Sequence, residues 1–414
     1  MCYRAESTVR IQALRSGYLV LRPVNIPVFS SDFKLIIYEF LGICYDVTHT
    51  VISGRTLSLL RSSEYYLYKF RTLAYTMLKM EIKKVLFFKP GAIGDLLHTL
   101  PALKALRNKF PAAQVTVMVS PGLESLLMGT PVADRVQVYD KSKINKRLKD
   151  FIDFGLHVRV ERYDLFVDMQ PSVRSLVLRT ISGAPLVLVY RKQKKRGPTD
   201  RRLHAAENFM ETLLPLKIAE PVGGIELPVM PEAREAADHF LAAHDIDRTK
   251  PLIALNCNVG AARPARNWFP ERFAALADRL TRELSAIVIF VGGSEDREMT
   301  RNVMTSMKER AVSAAGELSI AHSAALLAQC TCLVSSDTGP LHLATAVGTP
   351  VVGLYGSTDP RRTGPIGRGH QILIKDLPCV PCEKKHCPPG SRTCMTEITV
   401  DEVFEAVRKV VVCD

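Results

Sequence analysis

From Lys84 onward the chain alternates short apolar runs with longer stretches of helical period, and it does so twice. The first series has strand-like runs at 85–88, 114–120, 136–139, 165–168 and 186–190, with a helix over 96–110. A stretch punctuated by Pro221, Gly223, Gly224, Pro228 and Pro231 separates it from the second. After a helix over 232–244, strands at 252–256, 287–292, 332–335 and 351–355 alternate with helices over 270–284, 295–310, 320–329 and 340–347. Strand and helix in alternation predict parallel sheets with crossover helices. Two such series joined by a Pro/Gly linker predict two Rossmann-like α/β domains facing a cleft. The expected division is 81–230 and 231–398, with a last helix over 399–414 that packs back on the first domain.

Residues 1–80 differ in character. Between Leu59 and Leu78, Leu60, Leu67, Phe70, Ala74 and Met77 recur at helical spacing among Arg61, Glu64, Arg71 and Lys79. This reads as an N-terminal helical extension, either docked on the body or lying on a membrane interface. The sequence shows no signal-peptide pattern and no apolar run of about 18 residues. The expected place is the cytoplasm, peripheral to a membrane.

Charge narrows the partners. Lys and Arg number 55 against 42 Asp and Glu, a formal net charge of +13. That excess favours an anionic partner. Nucleic acid fits poorly, because no helix-turn-helix, RNP, KH or zinc-finger pattern is present and the basic run 191–202 lacks interleaved aromatics. That run, with Lys194, Lys195 and Arg196 around Gly197–Pro198, reads as a loop able to meet an anionic substrate.

Two motifs carry chemistry. In Lys89-Pro-Gly-Ala-Ile-Gly-Asp-Leu-Leu-His a strand ends in a loop with Gly91 and Gly94 and a helix follows. Ligands of α/β folds bind at that carboxyl end, but the spacing is not the dinucleotide fingerprint G-x-G-x-x-G. Asp95 falls at the helix start. It reads equally as an N-cap carboxylate or as a general base aimed into a cleft. In Ser336-Asp-Thr-Gly-Pro-Leu-His a strand runs into Asp337, Thr338 and Gly339, and Pro340 suits a first helical turn. Backbone N–H groups at such a helix start suit a diphosphate, with His342 as a further donor.

The two motifs, in this order and with Arg266-Asn-Trp-Phe-Pro-Glu-Arg-Phe and Val291-Gly-Gly-Ser-Glu between them, resemble the family-9 glycosyltransferases. These are the ADP-heptose:lipopolysaccharide heptosyltransferases, and the resemblance covers residues 80–410. It implies a GT-B architecture and inverting transfer with no cofactor required. It implies a nucleotide-diphosphate sugar as donor, an anionic glycolipid acceptor of the lipid A–core type, and work at the cytoplasmic face of the inner membrane. By position Asp95 matches the family's proposed base. Asp337, Thr338, Gly339, Pro340 and His342 match the donor-binding segment, Glu295 a nucleoside contact, and Arg266 a cation near the phosphates. Asn258 and Gly260 stand where the family usually has hydroxyl residues. Lys194, Lys195 and Arg196 are then expected to steer the acceptor. The alternative is a non-catalytic nucleotide-sugar-binding or regulatory protein at the membrane.

Cys379, Cys382, Cys387 and Cys394 follow a C-x2-C-x4-C-x6-C spacing beside His386. Such density suits a structural zinc or iron–sulfur site, and equally a set of reduced thiols or local disulfides.

Overall fold

The structure, a computed structural model, describes residues 11–13, 19–21, 81–144, 147–192, 203–258, 260, 263–388 and 390–412. The chain divides into two compact units, Met1–Met80 and Glu81–Asp414. In the first, the described residues form an antiparallel strand pair, β1 (Ile11–Ala13) and β2 (Leu19–Leu21). Those strands are no part of the helical reading of this segment. The helix expected over 59–78 lies outside the described residues.

The second unit holds two parallel sheets. One comprises β3 (Lys84–Phe88), β4 (Gln114–Val119), β5 (Arg135–Val138), β6 (Leu165–Asp168) and β7 (Leu186–Val189), in the order β5-β4-β3-β6-β7. The other comprises β8 (Leu252–Asn256), β9 (Ile287–Phe290), β10 (Val312–Ser313), β11 (Cys332–Ser336), β12 (Val351–Tyr355) and β13 (Gln371–Ile374). Its order is β10-β9-β8-β11-β12-β13. The central strands are buried along their length, as strands covered by helices on both faces must be.

In the first half the helices are α1 (Ile93–Lys109), α2 (Leu148–Val160), α3 (Val173–Ser182) and α4 (Ala205–Met210). In the second they are α5 (Pro231–Ala243), α6 (Pro270–Leu284), α7 (Arg297–Thr305), α8 (Ile320–Leu327), α9 (Gly339–Ala346) and α10 (Val400–Val412). Helix α6 shows why the sequence folds so. Pro270 starts it, Phe273, Leu276, Ala277 and Leu280 bury one face, and Ser285 ends it in the left-handed conformation.

Two expectations need correction. The helix expected over 295–310 stops at Thr305, because the Asp278 carboxylate accepts the backbone N–H groups of Lys308 and Glu309 and turns the chain toward β10. The last helix does not pack back on the first domain. Val403, Phe404, Val407 and Val410 of α10 lie in the core of the second, with Phe273 and Leu280.

In each sheet the chain starts at a central strand and later crosses to that strand's other side. The reversal falls between β3 and β6 in one sheet and between β8 and β11 in the other. Crevices at the carboxyl ends of such strands are where open α/β sheets bind ligands. Both motifs of the sequence lie there.

Candidate active site

The first crevice is built around a buried amine. Lys89 follows β3 directly, and its side chain is 2% exposed. Its Nζ stands 3.3 Å from Asp95 Oδ2 and donates to Gln170 Oε1 at 3.0 Å. The Phe209 ring lies 5.5 Å from the amine. Burial pushes this lysine below its ordinary range, and the Asp95 carboxylate pulls it partly back. Asp95 is the third residue of α1, and the helix has no side-chain cap. Its side chain is 58% exposed and turns to Lys89, so the N-cap reading is replaced by an ion pair open to solvent. Tyr190 faces the same carboxylate. Its phenol is pushed up to about 12, first by burial and then by Asp95. A Cβ on Gly91 would sit 2.1 Å from Gln170 Oε1 and 2.7 Å from Lys89 Nζ, so glycine there leaves these two groups room to meet.

A cavity of about 540 Å³ opens beside this pair. Gln170 is in its wall, with Tyr139, Lys141, Val173 and Arg174.

The second crevice is larger, about 690 Å³, and several glycines stand in its wall. Asn258, Gly260, Glu295, Thr338, Gly339 and Pro340, all expected from the sequence, line it. So do Asn256 and Asp296, which the sequence reading passed over, and Gly292 and Gly293 of the Val291-Gly-Gly-Ser-Glu run. Asp296 accepts from Asn258 Nδ2 at 2.7 Å and from the Gly293 N–H at 2.8 Å. A Cβ on Gly292 would meet Asp296 Oδ2 at 2.5 Å, and the two adjacent glycines after a strand are the sequence signal of such a close approach. Ile93 of α1 and Glu124 of the first half reach this crevice, so both halves close it.

Asp337, Arg266 and His342 stand behind the wall. Asp337 is 2% exposed and Arg266 18%. Arg266 Nη1 is 3.1 Å from Asp337 Oδ2 and donates to the Asp337 carbonyl at 2.6 Å. His342 Nε2 is 3.2 Å from Asp337 Oδ1. Burial pushes the Asp337 carboxyl up, but His342 and Arg266 outweigh it and hold it below the usual range. This cluster fixes the turn that presents Thr338 and Gly339 at the start of α9.

The halves meet through these same helix starts. A Cβ on Gly94 would lie 2.4 Å from the His342 ring, and one on Gly339 3.3 Å from Ile93. The His98 ring lies edge-on to His342 and His204, centroids 4.6 and 5.1 Å away. His204 Nε2 in turn is 3.0 Å from the Gly364 carbonyl of the second half.

The family model of glycosyltransferase family 9 (heptosyltransferase) matches residues 152–391, more than half of the chain. The chain belongs to glycosyltransferase family 9. Lipopolysaccharide heptosyltransferase 1 of Pseudomonas aeruginosa is 27% identical to this glycosyltransferase over 326 residues, 73% of this chain and 87% of that one. Lipooligosaccharide heptosyltransferase 2 of Haemophilus ducreyi is 24% identical, over 80% of this chain and all of that one. Among solved structures, a family-9 glycosyltransferase of Veillonella parvula aligns with a TM-score of 0.72 at 24% identity, covering 81% of this chain and 99% of its own. The Escherichia coli ADP-heptose lps heptosyltransferase II aligns at 0.66 and 20%, covering 80% and 99%. The fold is GT-B, and the protein is an enzyme rather than a binding protein without catalysis.

Other expected sites fall differently. Lys194, Lys195 and Arg196 lie outside the described residues of the glycosyltransferase. Cys379 is exposed, Cys382 and Cys387 are half-buried and Cys394 is buried, all as free thiols. Burial pushes the Cys394 thiol up, and the other three add to it. Yet among the described residues no group of three or more His, Cys, Asp or Glu is placed to hold a metal ion. The four thiols therefore do not fit the expected zinc or iron–sulfur site.

Proposed function

We propose that this glycosyltransferase moves heptose from an ADP-linked sugar to the inner core of lipopolysaccharide, with inversion and without a catalytic metal. The names of its relatives support the sugar and the acceptor. The observation that carries the mechanism is the exposed Asp95 carboxylate held by a buried lysine at the first switch point. The acceptor hydroxyl gives its proton to Asp95 as its oxygen attacks the anomeric carbon. The bond from that carbon to the diphosphate oxygen breaks on the opposite face. The departing nucleoside diphosphate keeps the electron pair, and the N–H groups at the start of α9 receive its charge. Lys141 and Arg174, in the wall of the cavity beside Gln170, supply cations for an anionic acceptor. On this reading the enzyme works at the cytoplasmic face of a membrane, where such an acceptor is anchored.

Asp95→Asn tests this. Transfer should fall by about 10²–10⁴-fold, the usual worth of a general base. Binding of the ADP-sugar, followed by calorimetry, should stay as in the wild type. Transfer near the wild-type rate would remove Asp95 from the mechanism. The anomeric configuration of the product, read by NMR, and insensitivity to a chelator check inversion and metal independence.

A further inference from the structure

Helix α2 is apolar on two sides. Phe151, Gly155 and Val158 are buried, and both Phe151 and Val158 belong to the core of the first half. On the other side Leu148, Ile152, Leu156 and Val160 follow at four-residue spacing, which sets them in a row along the helix. All four are exposed, Leu148 by 76% and Val160 by 79%. The apolar positions of α2 thus span well beyond the stripe that a surface helix turns to its core. Helix α3 packs beside α2, with the Ile181 side chain 3.0 Å from where a Gly155 Cβ would be. It adds Val173, 80% exposed, and Val177. Single apolar side chains at a surface need no account, but rows on two neighbouring helices do.

The charge around this face is mostly positive, with Asp153 at its edge. Residues 141–162 carry seven Lys or Arg against three Asp or Glu. Arg147 and Lys149 at one end of α2, Arg159 and Arg162 at the other, and Arg174 beside Val173 are exposed. By helical angle Lys149 and Arg159 share the face of the apolar row, where long stems can lie along lipid while their charges reach headgroups. Among the described residues no helix is long and apolar enough to cross a membrane.

We propose that α2 and the first turn of α3 are the surface by which this protein docks on an anionic lipid bilayer. The apolar row enters the acyl boundary and the flanking cations meet headgroup phosphates. The inference rests on the membrane reading given under the proposed function and names the surface responsible. It also joins docking to catalysis. Val173 and Arg174 line the 540 Å³ cavity with Gln170, the partner of Lys89. Docking through this face sets the mouth of that cavity at the bilayer surface, so an acceptor reaches Asp95 with its lipid still in the membrane.

The test is sedimentation of the full chain with vesicles, without donor or acceptor, so that its outcome is independent of the sugar chemistry. Vesicles of phosphatidylethanolamine and phosphatidylglycerol should carry the protein down and vesicles of phosphatidylcholine should not, and added salt should release it. Leu156→Ser combined with Val160→Ser should lower partition to anionic vesicles at least tenfold. Arg147→Glu combined with Lys149→Glu should do the same. In both variants Tm and turnover of a water-soluble acceptor fragment should stay as in the wild type. Wild-type partition in both variants overturns the proposal. So does wild-type partition together with a loss of any self-association seen by analytical ultracentrifugation, which would make the face a contact between copies. A wild-type protein that binds these vesicles yet fails to turn over the soluble fragment would count against the proposed reaction and leave the docking surface standing.

Discussion

The two halves repeat one plan, a central strand, a glycine-bearing turn and a helix, but they bury opposite charges. At the first switch point the cation is buried and the carboxylate exposed: Lys89 is 2% accessible and Asp95 58%. At the second the carboxylate is buried at 2%, and Arg266 keeps 18%. An exposed carboxylate can meet a substrate hydroxyl. A buried one is left to hold the loop that presents backbone N–H groups. The same pair of charges thus serves chemistry in one half and scaffolding in the other.

The largest expected effect separates these roles through stability. Asp337→Asn strands Arg266, which cannot lose its proton in compensation. Losing one partner of a buried pair costs about 3–5 kcal/mol, and the partial solvent access of Arg266 argues for the lower end. Asp95→Asn leaves Lys89 behind, but burial already lowers the pKa of that amine and a lysine, unlike an arginine, can shed its proton. Its cost should be about 1 kcal/mol. Urea unfolding at pH 7.5 compares the two directly. Equal losses would break the distinction between a scaffolding and a working carboxylate.

The next effect is kinetic. Lys89→Met removes the charged hydrogen-bond donor that sits between Asp95 and Gln170. Such a contact is worth about 1.5–3 kcal/mol, so kcat should fall roughly ten- to hundredfold. The KM for donor should change little, since the second crevice is built from other residues. Parallel changes in kcat and donor KM would mean that the lysine shapes both crevices.

This division was partly legible in the sequence. The strand series from Val85 to Tyr355 is written in apolar runs that nothing else explains, and the two glycine turns marked both crevices. Asp95 could not be told from a cap, because cap and base ask for the same residue at the same place. Lys89 was invisible as a functional group: its meaning comes from burial against Phe209 and Gln170, residues more than 80 positions away. Helix α2 was missed because apolar residues on both its faces hide the helical period. The four-cysteine run left metal site and free thiols both open, since spacing alone does not say whether thiols converge on one point.

The seam between the halves offers the finest test of how far they act as one body. His98 is 2% exposed, and neither ring nitrogen has a hydrogen-bond partner. Burial holds it well below the ordinary histidine range, and the basic groups facing it, His342, His204 and Lys89, add to that. In the folded chain the ring therefore stays neutral where the unfolded chain takes up a proton, below about pH 6.5. The unfolded state binds more protons in that window, so stability rises with pH there and is lost as pH falls, by up to about 1.4 kcal/mol per unit. Above about pH 7.5 the contribution is flat. His98→Leu removes the titrating ring and its two unpaired nitrogens while keeping the seam filled. Urea unfolding at pH 8 should show little change or a small gain. Between pH 6.5 and 5.5 the variant should lose less stability than the wild type, the remaining slope coming from His204 and His370, which burial also lowers. An unchanged acid slope would place the proton-linked cost outside the seam and leave the two halves energetically independent of His98.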